Sequence, residues 1–452
     1  MTDGGPWLLG SSRVRQRIAE FLRSSTEALS ERDFRLLWIG QTGSALGDAL
    51  VGVALAFAVL GVGGSAADLG LVFAAFALPR VVFTLAGGVW SDRLPRQRVM
   101  VACDVVRAGA QAVVAPLLIT GNAQTLHLIG LALVMGSASA FFTPASVGLM
   151  PQVVSRDRLQ QANALVSISQ SATHIFGPLL AGLIVATIGP GWAFAIDGLS
   201  FLMSAGFLLA IRPAPIAIPA RRTFVAELAD GWHEVIARRW VVASIAAFSL
   251  SNVSLGAFQV LGPIIASREL GGAAAWGVVL TGGAVGGLIG SAISLRWRPK
   301  RPLVAGFLVL ILAQVELLLL IPPFPAPAIA LGAMLTIAGI VISNTFWDTM
   351  LQQHIPPQAL SRVSSYDWMG SLIFQPIAFA AVGPLSEQIG IEWTLLLAAA
   401  IGVTVNAGVL LVPSVRRLRR LDAGTERPLA QATASGEPTE PRLTQPGGGA
   451  SA

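Results

Sequence analysis

Apolar runs of about 20 residues, parted by short polar turns, follow one another along the chain from near Leu36 to Pro413. A helix rises 1.5 Å per residue, so each run is long enough to cross the roughly 30 Å hydrocarbon core of a bilayer. The runs begin near Leu36, Leu69, Val99, Leu126, Asn163, Trp192, Trp240, Ala274, Pro302, Ala326, Tyr366 and Trp393. The pattern predicts an all-α membrane protein with twelve transmembrane helices in two six-helix halves.

The remaining segments divide the chain. Residues 1–35 form an N-terminal segment in which Arg13, Arg15, Arg17 and Arg23 alternate with Val14, Ile18, Phe21 and Leu22. That spacing fits an amphipathic helix lying on the membrane surface, or else a disordered tail. No signal peptide precedes the first span. Residues 36–211 hold the first six spans and 240–413 the last six. Between them, residues 212–239 open with Pro213 and Pro215, then place Phe224, Leu228, Trp232, Val235 and Ile236 near helical spacing, which predicts a second interfacial helix. Residues 414–452 begin with a basic run and continue in Gly, Pro, Thr and Ala, a cytoplasmic tail with little to bury.

Composition narrows the class. Of 452 residues 54% are hydrophobic and 12% charged, about half the charged fraction of a soluble domain. The net charge is +6, but the arginines form no stripe with interleaved aromatics, so nucleic acid is not an expected partner. They mark loops instead. With the N-terminus inside, 27 of the 30 Lys and Arg residues fall on the cytoplasmic side, leaving Arg268 in an outer loop and Arg80 and Arg107 within spans. Both termini are then cytoplasmic. The single cysteine, Cys103, excludes an internal disulfide, and four scattered histidines predict no metal site. No cofactor is expected; the partners are a small molecule, protons and the lipid bilayer, with the chain acting as a monomer.

The chain also repeats itself. Gly88 to Arg98 has a degraded echo from Gly290 to Arg301, and Leu149 to Asn163 has one from Leu351 onward, both offset by about 202 residues. Two matches at one spacing indicate parallel repeats, an arrangement that places a substrate cavity between the halves.

These pieces resemble a known family. Gly88-x-x-x-Asp92-Arg93-x-x-Arg96-x-Arg98 is similar to the charged motif between the second and third spans of the major facilitator superfamily, with Pro95 where a glycine is usual. Asp33-Phe-Arg-Leu-Leu-Trp38, Phe142-Thr-Pro-Ala145, Leu159-Gln-Gln-Ala-Asn163, Gly177-Pro-Leu-Leu-Ala-Gly182, Phe194-Ala-Ile-Asp197-Gly-Leu-Ser-Phe201 and Arg362-Val-Ser-Ser resemble its drug:proton antiporter-3 branch, which includes macrolide-efflux proteins and the enterobactin exporter. The resemblance covers about residues 30–415. It implies the superfamily fold and a gating role for Gly88, Asp92, Arg93, Arg96 and Arg98. It also places Asp92 near the cytoplasmic end of span eleven, by Tyr366 or Asp367, where a helix N-terminus would offer unpaired N–H groups. Span four has no arginine, so a proton mechanism built on one does not carry over.

Ionisable groups inside spans are costly and tend to face a partner or a watery cavity. Asp48 and Arg80 each lie about 12 residues from the inner end of their spans, roughly 18 Å deep. Equal depth makes them candidate partners, either for proton coupling or as a static pair. Asp104 and Arg107, at i and i+3, form either a local neutralising pair or part of an inner gate in which Asp104 accepts hydrogen bonds from Arg93 or Arg96. Gly177-Pro178 predicts a kink and close helix approach, which the resemblance connects with export. Asp197 and Glu316 are expected to be interfacial acids solvated from outside, with a second titratable role as the alternative. Gln111, Gln170, His174, Asn252, Gln259 and Gln314 are candidate cavity residues, His174 fitting a hydrogen bond within the bundle better than proton transfer.

The reading is a secondary transporter of the cytoplasmic membrane, bacterial in type, that exports a hydrophobic or amphiphilic drug-like molecule by proton antiport. Alternatives are export of a specific metabolite such as a siderophore, movement of a lipid-like molecule, or a non-transporting scaffold or sensor. No phosphate-binding Gly-x-x-x-x-Gly-Lys-Ser/Thr loop is present, which argues against ATP as the energy source, and no catalytic constellation suggests an enzyme.

Overall fold

In the computed structural model, residues 27–91, 94–213 and 232–421 are described. Among the described residues twelve helices of eleven residues or more follow one another: α1 Arg32–Gly61, α2 Ala66–Ser91, α3 Arg96–Ile119, α4 Thr125–Val153, α5 Leu159–Ile188, α6 Pro190–Ala210, α7 Arg239–Ile265, α8 Ala273–Arg296, α9 Pro302–Leu312, α10 Ala326–His354, α11 Pro357–Ile389 and α12 Ile391–Leu411. Among the described residues ten helices are long and apolar enough to cross a membrane, and the shorter α9 continues after a two-residue break as Val315–Leu318. Among the described residues there is no strand beyond an isolated bridge between Leu320 and Pro323. The expected amphipathic stretch from Arg13 to Arg23, the Phe224–Leu228 part of the linker, and the tail beyond Leu421 lie outside the described residues. The linker's Trp232, Val235 and Ile236 are helical, with Val235 buried.

The two halves repeat in their packing. α1 lies against α6 as α7 lies against α12, and α2 against α4 as α8 against α10. α3 meets α4 and α6 as α9 meets α10 and α12. Even the sharpest connection recurs: Gly189, at φ 92°, joins α5 to α6, and Gly390, at φ 89°, joins α11 to α12. A positive φ is costly for a residue with a Cβ, so glycine allows one residue to reverse the chain between two long helices.

Between the halves, α2 packs on α11 and α5 on α8. Both contacts are tight toward the face opposite the termini, here the distal face. There the Cα of Gly70 lies against the backbone carbonyl of Phe379, and Gly383 lies against Ala66. Next to them the amide of Ala67 donates to a Glu387 carboxylate oxygen at 3.0 Å. On the other pair, Gly277 meets the carbonyl of Pro178 and Gly182 meets Ala273. The halves therefore touch through backbone, and the distal side is closed.

Pro178 stands inside a continuous α5, where it removes one backbone N–H. What the Gly177-Pro178 pair accomplishes is close approach on two sides. Gly177 faces Ala49 of α1, and the Pro178 carbonyl faces α8.

Candidate functional site

A cavity of about 750 Å³ lies between the halves, lined from α1, α2, α3, α4 and α5 on one side and from α7, α8, α10, α11 and the end of α9 on the other. Asp48, Arg80, Arg107 and His174 line it from the N-terminal half, and Gln259, Gln375 and Glu316 from the C-terminal half. The rest of the wall is largely aliphatic and aromatic.

Behind the N-terminal wall two polar stripes face each other. On α3, Asp104, Arg107 and Gln111 stand at i, i+3 and i+7, which is one face of a helix. On α6, Asp197, Ser200 and Ser204 have the same spacing. All six are buried, with Asp104, Gln111, Asp197 and Ser204 at 0% exposure. Gln111 Nε2 donates to Asp197 Oδ2 at 2.6 Å, and Ser200 Oγ donates to the Asp197 backbone carbonyl at 2.8 Å. Gly47 of α1 presses against Asp197 Oδ1 and Ser200 Oγ, so a side chain at position 47 would displace the carboxylate.

Arg107 is the centre of the cluster. Its Nη1 lies 3.9 Å from Asp104 Oδ1 and its Nη2 donates to Ser139 Oγ of α4 at 3.0 Å. Its guanidinium lies between two rings, 4.7 Å from the Phe142 centroid and 5.3 Å from that of Phe201. A planar delocalised cation between two rings is held by quadrupole attraction, which suits arginine better than lysine.

Several expectations change here. Asp48 and Arg80 share one cavity wall, which Arg107 lines as well, and Arg80 lies 5.5 Å from the Phe76 ring. Asp104 is buried beside Arg107, and neither of its oxygens accepts a hydrogen bond. Its expected donor Arg96 instead reaches the Gly148 carbonyl at 2.5 Å, on α4. Asp92 and Arg93 lie outside the described residues; Gly88 is in α2, and Arg98 is exposed on α3.

Asp197 and Glu316 are not solvated from outside. They are 0% and 5% exposed, because the neighbouring helices cover them. Span eleven begins at Pro357, so Tyr366 and Asp367 stand more than two turns inside α11 rather than at a helix N-terminus. Proline at the first helical position starts the helix through a polar stretch that hydropathy does not mark. Asp367 accepts a hydrogen bond from Trp347 Nε1 at 2.8 Å, which ties α11 to α10.

Of the expected cavity residues, His174, Gln259 and Glu316 line the cavity, and Gln111 and Asp197 sit behind it. Gln314 packs against Gly402 of α12, while Gln170 is exposed on α5 and Asn252 half-buried on α7. Sequence reasoning missed Ser139, Phe142, Phe201 and Ser204 as parts of the cluster. The matched i, i+3, i+7 spacing of polar residues on α3 and α6 was the available sign.

The Major Facilitator Superfamily model matches residues 37–373 of this chain. The chain belongs to the Major Facilitator Superfamily. Within this superfamily it is similar to the multidrug efflux pump Tap of Mycolicibacterium fortuitum, at 24% identity over 84% of this chain and 95% of Tap. Macrolide efflux protein A of Streptococcus pyogenes is 20% identical over 86% of this chain and 97% of its own length. Among solved structures, the nucleoside transporter NupG superposes with a TM-score of 0.67 at 12% identity, covering 85% of this chain and 99% of NupG. A bacterial homologue of the iron transporter ferroportin, in an inward-facing state, gives 0.66 at 18% identity, covering 84% and 98%. These likenesses establish the superfamily fold. Phe142, Asp197, Phe201 and Gly177, all from the motifs that carried the resemblance in sequence, converge on the cavity wall or on the contacts behind it.

Proposed function

We propose that this protein is a secondary efflux transporter of the cytoplasmic membrane, with both termini inside, that exports a hydrophobic or amphiphilic molecule in exchange for protons. The observation that carries the reading is the carboxylate of the N-terminal wall, set in a mostly apolar cavity. Asp48 faces that cavity, where water and solute reach it, and Arg107 lines the same wall. Asp104 and Asp197 are fully buried, and Asp104 lies beside Arg107.

An acid whose proton competes with a nearby guanidinium is a switch: when the halves rock, its distance from Arg107 changes and so does its preference for a proton. The closed distal side and the central cavity correspond to an arrangement loaded from the face of the termini. The charged loop around Asp92 acts in this scheme as the gate on that face. Similarity to Tap and to macrolide efflux protein A supports export as the direction.

The test is uptake of hydrophobic dyes into inverted vesicles with and without a pH gradient. Gradient-dependent accumulation that Asp48→Asn abolishes supports the reading. Accumulation unchanged by Asp48→Asn removes Asp48 from the coupling step.

A further inference from the structure

The echo from Gly290 to Arg301 keeps the cations of the Gly88 to Arg98 motif and lacks its acid. Arg296, Arg298, Lys300 and Arg301 stand at the end of α8 and in the turn to α9, all exposed. A second basic run, Arg416, Arg417, Arg419 and Arg420, follows α12 far along the chain.

The fold lays the two runs side by side. Beyond α12 the chain forms one short helix, Pro413–Arg417, whose Val415 is fully buried in a cluster with Leu303 of α9 and Val235 of the linker. Arg420 N then donates to the Lys300 carbonyl at 3.2 Å. Gln353 of α10 clasps the next residue, Leu421, accepting from its amide at 3.1 Å and donating to its carbonyl at 3.3 Å. Like charges repel, so these backbone bonds and the buried valine hold together what the side chains alone would push apart.

The patch has no acid of its own. Neither run contains a carboxylate, and none of the eight cations joins an ion pair among the described residues. Cations elsewhere on the face of the termini are paired: Arg32 lies 3.5 Å from Asp33, Arg158 lies 3.4 Å from Glu31, and Arg238 of the linker meets Glu234.

Its surroundings favour a lipid over a soluble anion. Leu295 and Leu411, the last apolar residues of α8 and α12, are both exposed, so the cations begin where the apolar band of the bundle ends. Trp297, between Arg296 and Arg298, is exposed too, with its ring edge-on to Phe346 at 5.4 Å. Indole rings favour the headgroup level of a bilayer. Cations clustered beside a membrane span attract anionic headgroups, and the arginine fork grips phosphate through paired N–H donors.

We propose that the two runs together form a binding site for the headgroup of an anionic phospholipid, built by the strap that closes Arg420 onto Lys300. The site goes beyond the export reading, and binding tests it without transport.

The probes are phosphatidylglycerol and phosphatidylcholine with identical fluorescent acyl chains, titrated onto the purified full chain in a nonionic detergent. The wild-type protein should bind the anionic lipid about tenfold more tightly, and the preference should shrink as added salt screens the cations. Arg416→Gln, Arg417→Gln, Arg419→Gln and Arg420→Gln together should cut it below about threefold, while lysine at the same four positions should keep most of it. Gln353→Ala leaves every cation in place and frees the strap, so it should lower the preference about twofold. Equal affinity for the two lipids, a preference that survives the four glutamines, or one that Gln353→Ala leaves untouched overturns the site. So does displacement of the lipid by inorganic phosphate at equal concentration, which would mark a site for a soluble anion.

Discussion

Gln111 on α3 and Asp197 on α6 meet in a 2.6 Å hydrogen bond with neither side chain exposed to solvent. The pair joins the two helices at the level of Asp48, because Gly47 of α1 rests on the same carboxylate. A buried acceptor that loses its donor costs about 1–3 kcal/mol, more if charged. Gln111→Leu, which keeps the volume and removes the donor, should lower the thermal unfolding midpoint of the purified protein. An unchanged midpoint would mean the pair contributes nothing to stability.

Arg107 should tolerate no replacement fully. Removing one partner of a buried ion pair costs about 3–5 kcal/mol. Arg107→Gln should therefore lower both the melting temperature and dye transport strongly. Arg107→Lys keeps the charge but loses the stacking between Phe142 and Phe201, worth about 0.5–2 kcal/mol per ring. Transport by the lysine variant should fall between wild type and Arg107→Gln. Wild-type transport by Arg107→Lys would show that position and charge suffice without the rings.

For Asp48 the expectation separates function from stability. The side chain faces the cavity, so Asp48→Asn should leave the melting temperature within a degree or two while removing the effect of a pH gradient on dye accumulation. Loss of folded protein in Asp48→Asn would instead mark a structural charge.

Closure of the distal face depends on small residues. A side chain at position 70 would meet the Phe379 carbonyl, and one at position 383 would meet the backbone of Ala66 and Ala67. Gly70→Val should hold α2 and α11 apart and favour the distally open state. In a Cys103→Ser, Gln259→Cys background, a membrane-impermeant thiol reagent applied from the distal side should label Gly70→Val severalfold faster than its parent. Equal labelling rates would show that this contact is not the distal gate.

The number of spans, their starting points and the two-fold repeat were legible in the chain itself. The predicted start of span nine, Pro302, is also where α9 begins, and the others fall within a turn or two, except span eleven, where the polar segment from Pro357 to Ser365 is helical yet unmarked by hydropathy. Bilayer thickness acts on each run of residues locally, so a one-dimensional reading captures it. The echoes at an offset of about 202 residues predicted what the matched helix contacts and the Gly189 and Gly390 turns then displayed.

Which charges meet was decided by tertiary structure. Counting residues along a helix gives depth, which put Asp48 and Arg80 at one level; azimuth depends on which helices pack together and how closely. The contacts of α3 with α4 and α6 bring Arg107 between Phe142 and Phe201, beside Asp104. The same packing buries Asp197 and turns Glu316 inward to the cavity. Hydropathy is a property of each segment alone, whereas the partner of a buried charge is a property of the whole bundle.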